Sequence, residues 1–160
     1  MELADAIRRA RESTKVCSVC YHIDEVDPCA ICADPGRDRS LILVVEEPRD
    51  VASFMNAEFD GLFHVLQGRV SSLEGVGPED LTVKKLVERT QSEEVEEVCI
   101  ATNPDLEGEA TARMIAERLA GGGTRVSRLA RGIPAGASIG QVSHSILSDA
   151  IEGRRLLAGN

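Results

Sequence analysis

The stretch that most constrains this chain is Val98-Cys99-Ile100-Ala101-Thr102-Asn103-Pro104-Asp105-Leu106-Glu107-Gly108-Glu109-Ala110. A short apolar run passes directly into an acidic turn, and the turn opens an apolar-periodic helix, so the local grammar is strand, turn, helix. In an open parallel sheet, ligands gather at the carboxyl ends of strands, which is where this turn places its carboxylates. An acidic helix start favoured by the macrodipole accounts for the same residues without a ligand.

Other segments extend that grammar. Leu41-Ile42-Leu43-Val44-Val45 is unbroken and apolar, as expected of a strand covered on both faces. It runs into Glu46-Glu47-Pro48-Arg49-Asp50, where proline ends the strand and Asp50 helps to start a helix with Val51, Phe54 and Met55 on its inner face. Leu62 to Leu66 reads as a second strand, with His64 expected to be a satisfied strand histidine rather than a ligand. Pro78-Glu79-Asp80 is expected to begin a helix carrying Leu81, Leu86 and Val87. Val98 to Ala101 is the third strand, Glu107 to Leu119 the third helix, and Thr124 to Leu129 the fourth strand after Gly121-Gly122-Gly123. Alternating strands and helices specify an α/β fold with a parallel sheet flanked by helices. Two acidic loops then leave carboxyl ends of one sheet, carrying Glu46 on one and Asp105 with Glu107 on the other. Converging carboxylates suit a hard cation such as Mg2+, which takes oxygen ligands.

Before the sheet lie Cys17-x-x-Cys20 and, eight residues on, Cys29-x-x-Cys32. Two such pairs supply the four thiolates of a tetrahedral zinc site. A closed four-thiolate site has no open position for water, so its role is structural. Two disulfides are the alternative, and the lack of a secretory signal speaks against them. His22 could replace a ligand, but four thiolates suffice, and the fifth cysteine, Cys99, is expected to be a small core residue. Ahead of the cysteines, Glu2 to Ser13 is amphipathic, with Leu3, Ile7 and Ala10 on one side, and is expected to lean on the zinc segment. After Gly140, the residues Val142, Ile146, Leu147 and Ile151 recur at helical spacing.

Composition narrows the function. The chain has 160 residues, 42% of them apolar, no Trp, one Tyr and three Phe, so its core is aliphatic and a base-stacking surface is not expected. A net charge of −9 argues against strong nucleic-acid binding by this chain alone. Basic clusters at Arg8, Arg9, Arg11 and Lys15, and at Arg125, Arg128 and Arg131, are local exceptions, with Arg128 and Arg131 the candidate DNA or partner contacts. No apolar run approaches a membrane span and no signal peptide opens the chain, so a cytoplasmic protein without membrane association is expected. Gly132-Ile133-Pro134-Ala135-Gly136 lacks the Gly-Lys-Ser/Thr ending of a phosphate loop and reads as a turn.

The acidic turn Asn103 to Glu109 resembles the second acidic motif of Toprim domains, the metal-binding modules of topoisomerases, primases and recombination mediators. More of the chain, from about Leu3 to Leu157, resembles the RecR family of bacterial recombination mediators. The resemblance is carried, in order, by the four cysteines, Val44 to Asp50, His64-Val65-Leu66, Leu73 to Leu81, Ala101 to Pro104 with Glu107 to Ala112, Arg128 to Pro134, and Gly153-Arg154. It implies a division into an N-terminal helix (1–15), a four-cysteine zinc module (16–36), a Toprim domain (37–131) and a C-terminal oligomerisation segment (132–160). It also implies a non-catalytic role: partnership with RecO, and often RecF, in loading the RecA recombinase onto single-stranded DNA. Asn103 stands where catalytic Toprim enzymes carry aspartate, and the lone Tyr21, inside the zinc loop, is badly placed as a nucleophile. Asp105 adds a carboxylate that the family usually lacks, which keeps weak Mg2+ binding at Glu46, Asp105 and Glu107 open. The competing class is a small Mg2+-dependent Toprim nuclease using those same three residues.

The family's N-terminal helix-hairpin-helix module, of about fifty residues, has no counterpart here, and the Gly-x-Gly of Leu73 to Pro78 belongs to the Toprim loop instead. The expectation is therefore a two-fold dimer built through Gly132 to Leu157 rather than a closed ring, with weak DNA binding alone and DNA reached mainly through RecO.

Overall fold

The computed structural model describes residues 2–157; residue 1 and residues 158–160, the outer ends of the first and last expected segments, lie outside the described residues. The chain forms two compact units, one ending at Ser127 and the other beginning at Arg128.

The first unit opens with helix α1 (Glu2–Ser13), followed by the two-residue strands β1 (Lys15–Val16) and β2 (Ile23–Asp24) and a helical turn, α2 (Ala30–Ala33). Strand β3 (Asp38–Val45), helix α3 (Pro48–Asn56), strand β4 (Gly61–Val65), helix α4 (Val83–Ser92), strand β5 (Glu97–Ile100), helix α5 (Leu106–Leu119) and strand β6 (Arg125–Arg128) follow. The main sheet has the order β4-β3-β5-β6, and β3 runs parallel to both neighbours, with Val44 opposite His64 on one side and Ile100 on the other.

Period-two alternation along β3 explains why its run is apolar throughout. Ile42 and Val44 face one core with Leu62, Leu86, Val98, Ile115 and Leu119. Leu43 and Val45 face a second core with Val51, Phe63 and Val65. A sheet covered on both faces leaves no strand position for a polar side chain unless it is partnered. His64 is such a position: it is fully buried, and its Nε2 lies 3.0 Å from Thr82 Oγ1.

Strand β4 ends the sheet, and its outward carbonyls at Gly61, Phe63 and Val65 are each engaged. Gly61 O accepts from Arg37 Nη1 at 2.9 Å, Phe63 O from Arg89 Nη1 at 2.8 Å, and Val65 O from Thr82 Oγ1 at 2.7 Å. The Val65 amide donates to Cys20 O at 2.8 Å, which ties the cysteine segment to the sheet. A buried edge strand needs such partners because an unpaired backbone group costs about as much as a lost hydrogen bond. This duty also explains why the Arg89 guanidinium is buried and bound to Glu93 at 3.1 Å.

Several expectations are corrected. Pro78-Glu79-Asp80 does not begin a helix: Gly77 N donates to Asp80 Oδ2 and Asp80 N to Gly77 O, closing a loop, and α4 starts only at Val83. Helix α1 buries no residue and leaves Leu3 and Ile7 exposed, so it does not lean on the zinc segment. Cys99 is half-buried at the margin of the second core, because alternation along β5 turns Val98 and Ile100 into the first core and leaves Cys99 on the less covered face. In the second unit, helix α6 (His144–Glu152) begins after a 3-10 turn at Ile139–Gln141, which leaves Val142 outside the helix. No described helix is long and apolar enough to cross a membrane.

The buried imidazole makes stability depend on pH. Burial, with the Arg89 charge beside it, pushes the His64 pKa down to about 3. Below about pH 6.5 the unfolded chain binds a proton that the folded chain refuses, so stability is lost as pH falls from 6.5 toward 3. Between pH 6.5 and 5, above the range where carboxylates dominate, the unfolding free energy from urea titrations is expected to fall with a slope approaching about 1.4 kcal/mol per pH unit. The variant His64→Asn, though less stable, is expected to lose that slope; an unchanged slope would place the dependence elsewhere.

Candidate functional site: a closed acidic centre beside a four-cysteine site

The four cysteines meet in one place. Their Sγ atoms all lie within 4.8 Å of one another, and all four residues are buried. Backbone amides point at the sulfurs: Cys29 N donates to Cys17 Sγ at 3.3 Å, Cys32 N to Cys29 Sγ at 3.4 Å and His22 N to Cys20 Sγ at 3.5 Å. Amide donors stabilise thiolate over thiol, and a tetrahedron with ~2.3 Å metal–sulfur bonds has edges of about 3.8 Å, within the span of this cluster. The donor set therefore fits structural zinc. His22 contributes its backbone to the site.

The acidic centre is built at the carboxyl ends of β3, β4 and β5. Glu46 follows β3 and is 3% exposed. Beyond it, Glu47 and Asp50 form a reciprocal capping box at the start of α3, with Pro48 in the first turn, which fixes the direction in which the chain leaves the strand. After β5, Asp105 caps α5, its Oδ1 accepting from Gly108 N at 2.8 Å. Within the first turn of the helix, Glu107 faces the same point. The third contributor is the loop after β4, where Ser71 and Val76 pair across a tight turn and Val70 N donates to Thr111 Oγ1 at 2.9 Å.

That loop delivers Arg69, which the sequence reading did not single out. Its Nη1 lies 3.0 Å from Asp105 Oδ2, its Nε 2.8 Å from Glu107 Oε2, and its Nη1 3.9 Å from Glu46 Oε2. The signal was its position: a single basic residue just beyond the carboxyl end of a strand whose neighbours feed acidic loops. Desolvation works against its charge, but Asp105, Glu107, Glu46 and Glu74 outweigh it and hold its pKa above the ordinary arginine value.

Every carboxylate oxygen of the trio has a protein donor. Glu46 Oε1 accepts from Asn103 N at 2.8 Å and Oε2 from Asn103 Nδ2 at 2.7 Å. Asp105 divides its oxygens between Gly108 N and Arg69 Nη1. Glu107 divides its own between the Ser71 hydroxyl and Arg69 Nε. The structure thus brings Glu46, Asp105 and Glu107 together as expected, yet the arrangement does not fit Mg2+. That ion needs a vacant point ringed by oxygens in near-octahedral array, whereas here the Arg69 guanidinium occupies the space between Asp105 and Glu107 and Asn103 holds both oxygens of Glu46. Beside the centre is a cleft of about 320 Å³ lined by Glu46, Glu47, Arg49, Arg69, Glu74 and Asn103. The candidate contacts Arg128 and Arg131 fall in the second unit, where Arg131 pairs with Asp149 at 3.5 Å.

Two family matches coincide with these two sites. Residues 14–34 match the four-cysteine zinc finger domain of RecR and residues 40–130 the Toprim domain. The chain is also 47% identical to the recombination protein RecR of Carboxydothermus hydrogenoformans, over 97% of this chain and 78% of that protein. The chain belongs to the RecR family. A second RecR, from Syntrophotalea carbinolica, is 46% identical over 98% of this chain and 79% of its own length. Membership assigns the cysteine cluster as the RecR zinc finger and the sheet, with its acidic centre, as the RecR Toprim domain.

Proposed function

We propose that this chain is a non-catalytic recombination mediator in DNA repair, acting with RecO, and with RecF, to load RecA onto single-stranded DNA. Its relatives are named recombination proteins. The observation that carries the non-catalytic part is the state of the acidic centre. Asn103, Gly108, Ser71 and Arg69 donate to its carboxylate oxygens and a cationic side chain already lies among them, which supports a centre built to hold structure rather than to activate water. Tyr21, the lone tyrosine, packs edge-on against buried His64 and is remote in role from any nucleophile.

The recognition face is the acidic cleft. Glu46, Glu47 and Glu74 outnumber Arg49 and Arg69 among its walls, so the field there favours a basic protein surface over a phosphate backbone. This, with the net charge of −9, supports weak binding to bare DNA and DNA engagement through RecO. Homo-oligomerisation is assigned to the C-terminal segment, where α6 buries no residue and Ile151, Leu156 and Leu157 are exposed within their own unit. Arg128 and Arg131 remain its candidate DNA or partner contacts.

The test is a set of variants at the cleft. Glu46→Ala and Glu107→Ala are expected to stay folded by circular dichroism while RecO binding, measured by calorimetry, weakens at least about tenfold, as for loss of a charged partner in a desolvated interface. Sedimentation with and without RecO should show the corresponding loss of complex. Metal-dependent cleavage of DNA or RNA that disappears in these variants would instead establish a Toprim nuclease.

A further inference from the structure

The acidic centre has the carboxylate count of a metal site and the interior of an ion pair. Three carboxylates from two strand-end loops meet at one point, and the group at that point is the guanidinium of Arg69, delivered by a third loop. Its two contacts under 3.1 Å both fall at the start of α5: Asp105 caps the helix, and Glu107 sits within its first turn and also accepts from Ser71 on Arg69's own loop. The side chain is 34% exposed, so the charge is held between the carboxylates with one side toward the cleft.

We propose that Arg69 is the resident cation of this centre, taking the place that a divalent ion would hold and excluding Mg2+ and Mn2+ from it. The inference goes beyond the mediator role and holds whichever partner the chain meets.

Three observations favour a built-in cation over an arginine that merely lies across an open metal site. The first is geometric. A guanidinium presents a planar fork of donors, and Nε and Nη1 reach separate carboxylates at charge-assisted distances, 2.8 and 3.0 Å. The second is the state of Glu46, the most buried of the three. Both of its oxygens are taken by the backbone and side chain of Asn103, so the carboxylate best shielded from water is already satisfied without any cation. Asn103 thereby gains a positive role: its amide donates where a second carboxylate would only have added charge. The third is the anchoring of the loop that carries Arg69. Val70 N donates to Thr111 Oγ1, and Thr111 Oγ1 donates to Glu107 O, so the loop is hydrogen-bonded to the same helix whose first turn it neutralises. Moving Arg69 aside for an ion would leave its guanidinium without these partners and would require Asp105 and Glu107 to shed donors they already have.

Neutralisation also answers an electrostatic need. Glu46, Asp105 and Glu107 would otherwise repel one another at short range, partly offset by the helix N-terminus. Metal-bearing sites meet that need with an ion. Here the chain meets it covalently, so the loops stay in place regardless of divalent ion concentration.

The experiment uses the zinc-loaded protein and Mn2+ as the probe. Free Mn2+ is followed by electron paramagnetic resonance, and Mg2+ competition by calorimetry. The wild type is expected to show no saturable Mn2+ site up to about millimolar concentration, and its melting temperature should not change when Mg2+ is added. Arg69→Ala should acquire one site at least about tenfold tighter than any in the wild type, because ligand charge sets affinity for hard cations. The same variant should regain stability with Mg2+, and Glu107→Gln added to it should abolish the site. Arg69→Gln serves if the alanine variant folds poorly. Submillimolar Mn2+ binding by the wild type that Glu107→Gln removes would overturn the inference. So would equal Mn2+ affinity in wild type and both Arg69 variants.

Discussion

Serine at Cys17 or Cys32 is expected to release the metal and unfold everything from Lys15 to about Pro35, with further loss of stability in the sheet. The magnitude follows from what else holds that segment. Its core cluster consists of the four cysteines alone, with Val19 and Ile31 as the packed apolar neighbours. Its strands β1 and β2 are two residues each and α2 is four, all far below the length at which such elements persist unaided. Zinc–thiolate bonding must then supply nearly all the folding free energy of the module, about 10–16 kcal/mol for structural zinc at neutral pH. The damage spreads because Cys20 O accepts the outward amide of Val65, and Tyr21 covers His64. Losing the module exposes one edge of β4 and wets a buried imidazole. Metal analysis should show near one zinc per wild-type chain and far less in either variant, with a lower melting temperature. A zinc-free variant that melts with the wild type would mean the module is held by packing after all.

How far the sequence could be read follows from which interactions are local. The α/β order, the strand run Leu41 to Val45 and the helix after Asp105 were legible, because period, proline and caps act within a few residues. So were the four cysteines, whose spacing is itself the ligand geometry. The start of α4 was not: Asp80 resembles an N-cap, but it folds back onto Gly77 and closes a loop instead. The environment of Cys99 depends on how fully each face of β5 is covered, a tertiary property. Arg69 shows the same limit most clearly. Its partners lie 36 and 38 positions away, and only the parallel register of β4, β3 and β5 brings the three loop ends to one point.

Alanine at Gly108 is expected to be among the most damaging single-atom additions to the Toprim unit, although the residue lies near the start of a helix. In an ordinary helix, glycine to alanine stabilises by about 0.5–1 kcal/mol, because alanine loses less backbone entropy on folding. Here the new Cβ would overlap the Asn103 carbonyl oxygen and press on Asn103 C and N, at 3.0 and 3.1 Å. These are backbone atoms, and they cannot swing away as a side-chain tip would. Nor is Asn103 free to retreat, since its amide and its side chain both hold buried Glu46, and Thr102 Oγ1 is bonded to Gly108 O at 2.8 Å. Relief must come from displacing the acidic turn against α5, which breaks one or more of these bonds. Overpacking of this kind costs about 1–3 kcal/mol, and a buried carboxylate losing donors adds to it. The sign is therefore the reverse of the helix-propensity effect. Gly140→Ala, with nothing within 4 Å of its added Cβ, is the matched control and should be near neutral. The Gly108 variant should melt several degrees lower and bind RecO more weakly, since the same displacement opens the Glu46 corner of the cleft. If Gly108→Ala is as stable as the wild type, the turn is not tightly packed against the helix, and the closed state of the acidic centre loses its structural basis.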